Sequence, residues 1–143
     1  MSAWSTWQFW AVLSAVFAAL TAIFAKVGVE NINPDLATFI RTIIVLVSLS
    51  LILFATGQFT APGSVSPKSW LFLLLSGLGT GASWLCYFHA LKLGEAAKVA
   101  PIDKLSVVLV AIFGVMFLGE KLSTPNWIGV ALITAGAVMV AYR

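Results

Sequence analysis

Charge is what this sequence has least of. Asp, Glu, Lys and Arg make up 9% of its 143 residues, where a soluble domain carries about a quarter. Apolar types fill 61%. A water-soluble chain of this length keeps a large part of its surface in solvent and needs polar residues to cover it. Too few are present, which argues against a soluble helical bundle and for a lipid bilayer as the main partner. Cysteine is nearly absent too. The single Cys86 excludes an intrachain disulfide and argues against a cysteine-based metal site; lying in an apolar run, it reads as a small core residue. Gly-x-Ser-x-Gly and His-Glu-x-x-His are missing, as is any His/Asp/Glu cluster of metal-ligand spacing. No catalytic residue, metal or cofactor is therefore expected. Gly77 to Gly81 is no phosphate loop, because neither a Lys-Ser/Thr ending nor a preceding strand accompanies it. Met1 to Trp10 holds no Lys or Arg, so a removable signal peptide is not expected. The net charge of +3 is spread along the chain, which suits topology setting better than nucleic acid.

What the chain has is long apolar runs. They read as five membrane-spanning helices over about 7–25, 36–55, 70–90, 99–118 and 125–142, near the 17–25 residues a span requires. The predicted fold is an all-α membrane bundle forming a single domain over 1–143. Barrel strands would alternate apolar and polar residues, and Ile43 to Phe54 does not. Turn chemistry separates the runs. Asn33-Pro34-Asp35 reads as a loop opening the second helix, with proline suited to a first turn. Thr60 to Ser69 contains Pro62, Gly63 and Pro67. Leu93-Gly94-Glu95 parts runs three and four. Gly119 to Asn126 parts the last two, with Ser123 or Thr124 able to cap ahead of Pro125.

Five crossings put the termini on opposite sides. Lys26, Arg41, Lys92, Lys98, Lys104 and Arg143 fall on the C-terminal side, Lys68 and Lys121 on the other. The positive-inside rule then favours N-out/C-in in a plasma membrane of the bacterial inner type. Trp4, Trp7, Trp10, Trp70 and Trp127 mark helix ends at the headgroup level.

Charge inside a span is costly, about 2.5 kcal/mol or more at the helix centre, and so singles out candidate sites. Arg41 lies about six residues into the second run, roughly 9 Å at 1.5 Å per residue. Asp103 and Lys104 lie at a similar depth in the fourth. This shared depth allows Asp103 to answer Arg41 or Lys104. Two readings stand side by side: a substrate or coupling-ion site, and a structural ion pair with Lys104 reaching back to the interface. His89, near the same level, is either a proton relay or an interface residue. Pro101 either breaks the fourth helix, opening a cavity, or sits in its first turn. Cavity-lining candidates are Thr38 and Ser48 on the second helix and Ser76, Thr80, Ser83 and Tyr87 on the third. Gly77 and Gly81 form a small-xxx-small pair suited to close helix packing.

A longer pattern joins these pieces. Leu93-Gly-Glu-Ala-Ala-Lys-Val-Ala-Pro-Ile-Asp-Lys-Leu-Ser106, followed by Phe117-Leu-Gly-Glu-Lys-Leu-Ser123, resembles the second half of an EamA domain of the drug/metabolite transporter superfamily. Asn33-Pro34 and Phe39-Ile-Arg41 resemble the start of its second helix, and Trp127-Ile-Gly129 and the Gly136 region its last. The resemblance implies a five-helix unit whose third and fourth helices line a central path. Most relatives of this kind carry two such units in inverted orientation; this chain carries one. A homodimer, or pairing with a related membrane chain, is then implied.

The expected function is secondary transport of a small metabolite by alternating access, without enzymatic activity. Positive charge around Asp103 hints at an anionic or zwitterionic solute. The rivals are a non-transporting membrane subunit and an intramembrane enzyme using Asp103 and His89.

Overall fold

A computed structural model describes residues 7–59, 63 and 65–142. Trp4, Thr60, Pro62 and Arg143, used above for boundaries and topology, lie outside the described residues. Six helices follow in order: α1 (Trp7–Gly28), α2 (Pro34–Ala55), α3 (Pro67–Leu93), α4 (Ala96–Asp103), α5 (Ser106–Phe117) and α6 (Thr124–Ala141). No strand occurs among the described residues. Five spans are long and apolar enough to cross a membrane, with α4 and α5 together making the fourth, Ala96–Phe117.

The helix ends follow from local chemistry. Asn33 caps α2, its side-chain oxygen accepting from the backbone N–H of Asp35 at 2.8 Å and Leu36 at 3.3 Å. Pro34, the first residue of α2, has no N–H to lose there. Ser66 does the same for α3, accepting from the Ser69 N–H at 3.1 Å, so this helix starts one turn before Trp70. At the far end of α2 the Gln58 N–H reaches the Leu53 carbonyl and the Gly57 N–H the Phe54 carbonyl. This paired closure requires a left-handed residue, and Gly57 has φ +66°. Gly57→Ala should cost about 1 kcal/mol, read as a lower thermal midpoint in detergent. Within a single chain Gly77→Ala should not, because a Cβ there meets nothing within 4 Å and alanine is the better helix former. Ser123 occupies the cap position of α6 but makes no side-chain cap hydrogen bond.

Two compact units form. One runs from Phe24 to Lys92; the other combines the chain up to Ile23 with Leu93 onward. In the first, the end of α1 and the end of α3 are clasped. The Lys26 ammonium donates to the Leu91 carbonyl at 2.7 Å. The Lys92 ammonium donates to the carbonyls of Val29 at 2.9 Å, Glu30 at 2.7 Å and Ile32 at 3.0 Å. Val29 and Leu91 are the largest fully buried side chains among those described. In the second unit, α4 and α5 pack against α6.

Apolar residues are otherwise outside. Phe54 is 81% exposed and Trp10 64%, which water would not tolerate over so large a contiguous area and hydrocarbon would. Cys86, expected in the core, is exposed on α3. Core and surface are equally apolar when the solvent is lipid, so its apolar neighbours carried no information about burial.

Candidate functional site

The fourth span is broken where its charges lie. Pro101 sits inside α4, not in its first turn, and has no N–H to give the Ala97 carbonyl. Past it the backbone tightens. The N–H groups of Leu105, Val107 and Val108 reach the carbonyls of Ile102, Lys104 and Leu105, each three residues back. This tight turn separates α4 from α5 and carries Asp103 and Lys104. The Lys104 ammonium donates to Asp103 Oδ2 at 3.0 Å. Of the two partners foreseen for Asp103, Lys104 is therefore engaged.

Arg41 stands on an aromatic shelf in the other unit. It lies about seven residues into α2, roughly 10 Å from the helix start. Its guanidinium carbon is 4.1 Å from the centre of the Trp84 ring and 5.7 Å from that of Phe88. Both rings belong to α3, and their spacing of four puts them on one helical face. Phe88 is buried and Trp84 half-buried. Neither was singled out by sequence reasoning. The usable signal was that Trp84, unlike the other tryptophans, falls well inside a span.

His89 is the next residue along α3. Its Nδ1 lies 3.0 Å from the Leu85 carbonyl and 3.5 Å from the Asp35 carboxylate. Both neighbours are acceptors, so they favour a proton on Nδ1. The remaining candidates are mostly satisfied within their own helices. The hydroxyls of Thr38, Ser48 and Thr80 donate to the carbonyls of Pro34, Ile44 and Ser76, four residues back. Thr38 is buried and Tyr87 half-buried, whereas Ser48, Ser76, Thr80 and Ser83 are exposed on the helix surface. Among the described residues no three His, Cys, Asp or Glu side chains gather to hold a metal.

Two arrangements therefore carry charge inside spans: an ion pair at a helix break and a cation on aromatic rings. Carriers need such groups, since a polar solute must find partners at depth. The sequence matches the EamA-like transporter family over residues 5–142. The chain belongs to that family. Among EamA-like relatives, an "uncharacterized transporter in cobO 3'region" of Sinorhizobium sp is 65% identical, the match covering 95% of this chain and 96% of the relative. An uncharacterized transporter of Bacillus subtilis is 27% identical over 94% of this chain but only 42% of its own length. An uncharacterized protein of Methanocaldococcus jannaschii is 25% identical, over 91% of this chain and 92% of its own length. No solved structure matches. Family and spans together make this an integral, multi-pass membrane transporter, and they point away from an enzyme.

Proposed function

We propose that the chain moves a small metabolite by alternating access, as one half of a dimer. The observation that carries this reading is the discontinuous fourth span, with the Asp103–Lys104 pair at its break. A broken helix frees backbone groups at depth and is useful only where they line a cavity. Such a break also lets α4 and α5 swing separately, which alternating exposure of one site requires. Arg41 and His89 in one unit, and Asp103 and Lys104 in the other, are the candidate groups for solute or a coupling proton, with Thr38, Ser48, Ser76, Thr80, Ser83 and Tyr87 as lining candidates in the first and Pro101 in the second.

Two facts support the dimer. The Bacillus subtilis relative is more than twice the length this chain matches, whereas the Sinorhizobium and Methanocaldococcus relatives match almost end to end. Relatives of about this chain's length and of more than twice it therefore coexist, as expected if two such chains assemble the equivalent of a long one. The Gly77–Gly81 face of α3 also has open space where a Cβ would stand, so a second backbone can approach there.

The test is flux into proteoliposomes across a panel of labelled metabolites, with cross-linking alongside. Saturable counterflow of at least one solute is expected. Gly77→Cys in a Cys86→Ser background should form a disulfide-linked dimer under mild oxidation. A folded, lipid-embedded chain that moves nothing and never cross-links would overturn the reading.

A further inference from the structure

The guanidinium of Arg41 is only half provided for. Its central carbon lies 4.1 Å from the centre of the Trp84 ring and 5.7 Å from that of Phe88. Neither ring offers a lone-pair acceptor to its five N–H donors. Among the described residues no carboxylate is within ion-pair distance of it. The carboxylates of Asp35, Glu95 and Asp103 are engaged with His89, Lys98 and Lys104. Tyr87 is within electrostatic reach, but a phenol is neutral at physiological pH. A cation buried in a span without a counter-charge is costly.

The usual escape for such an arginine is to stretch toward the headgroups. Here the escape is not taken. Trp84 is about nine residues inside the end of α3, roughly 13 Å along the helix, and the guanidinium is held over its ring. The aromatic shelf holds the charge at depth, and its N–H donors are left for acceptors other than the rings. A rigid planar fork of this kind matches a planar pair of oxygens.

We propose that Arg41, seated on Trp84 and Phe88, binds the carboxylate of the transported solute, so that the carried metabolites are organic anions. This rests on the transport reading and names its substrate class. Two N–H groups of the fork take the two carboxylate oxygens, and the indole and phenyl rings wall the solute's carbon skeleton. The phosphate of an anionic lipid offers similar oxygens, but at the headgroup level and not at the depth of Trp84.

The test uses the full chain in phosphatidylcholine nanodiscs, titrated with sodium succinate, lactate, glutamate and benzoate, each beside its amide and a sodium chloride control. The readout is a saturable rise in thermal midpoint. At least one acid should give it while its amide does not. Arg41→Lys, which keeps the charge and loses the fork, should weaken binding about tenfold, and Arg41→Gln should abolish it. Should the glutamine variant fail to fold, the lysine variant carries the comparison. Equal responses to acid and amide, an undiminished response in both Arg41 variants, or no response to any of the four acids overturns the proposal. So does an Arg41-dependent rise produced by phosphatidylglycerol alone, with no acid effective in phosphatidylcholine. Flux in matching vesicles separates this from the transport reading. Carboxylate binding through Arg41 without movement retires transport and keeps the site, whereas carboxylate flux indifferent to Arg41 keeps transport and removes the site.

Discussion

Lys92→Met is expected to destabilise the protein by about 2 kcal/mol, more than any single apolar truncation on the lipid-facing surface. The Lys92 ammonium serves three carbonyls, those of Val29, Glu30 and Ile32, just past the end of α1. A helix C-terminus leaves its last carbonyls without intrahelical donors and carries the negative end of the dipole. Near lipid there is little water to replace a lost donor. Lys26 provides the mirror service to Leu91 on α3, so the two lysines cross between the two helix ends. Val29 and Leu91, whose carbonyls they serve, are also the largest fully buried side chains among those described. Each charge-assisted bond contributes up to ~1.5–3 kcal/mol when dry, but Lys92 is exposed, which brings the sum down to the figure given. Lys92→Arg should recover most of the loss, because its fork also reaches several carbonyls. Thermal unfolding in detergent, followed by helical circular dichroism, measures both. Proteolysis near Asn31 should accelerate in the methionine variant and not in the arginine one. An unchanged midpoint in Lys92→Met would show the clasp to be ornamental.

That clasp also explains what the sequence could and could not convey. Asn33-Pro34 announced the start of α2 because capping is local chemistry, although α2 begins at Pro34, two residues before the span read over 36–55. Lys26 was read as the end of the first span because it is charged, yet α1 continues to Gly28. The ammonium satisfies a carbonyl of α3, a partner 65 positions away, and no local rule contains that information. The third span runs past Ala90 to Leu93 for the reciprocal reason, Lys92 being occupied at the other helix end. The fourth run was visible as apolar residues interrupted by Asp103 and Lys104. Its division into α4 and α5 needed the position of Pro101 relative to the helix start, and boundaries are what periodicity fixes least. Arg41 was legible as an expensive residue, but its footing was not. Charges suggest charges as partners, while Trp84 and Phe88 are just two more apolar residues in an apolar run. Only the facing of α2 and α3 picks them out.

Pro101→Ala is the substitution expected to separate stability from transport. In a helix interior proline costs about 3 kcal/mol relative to alanine, and the surrounding turn has adapted to recover part of it. Restoring an N–H toward the Ala97 carbonyl should therefore stabilise the folded chain by about 1 to 3 kcal/mol. The same change removes the local reason for the tight turn between Ile102 and Val108, favouring one continuous fourth helix. Asp103 and Lys104, now at a break, would move onto regular helical positions, and their 3.0 Å contact would loosen because adjacent residues on a helix diverge. If transport requires α4 and α5 to move separately, stabilising the straight form biases one conformer. Each ~1.4 kcal/mol of such bias should lower flux about tenfold. The thermal midpoint should thus rise as counterflow falls. Pro101→Gly supplies the contrast: it restores the N–H while keeping the backbone loose, and should retain more flux than the alanine variant. If Pro101→Ala both stabilised the protein and left counterflow intact, the break would be a by-product of the sequence and the carrier mechanism would have to lie elsewhere in the bundle.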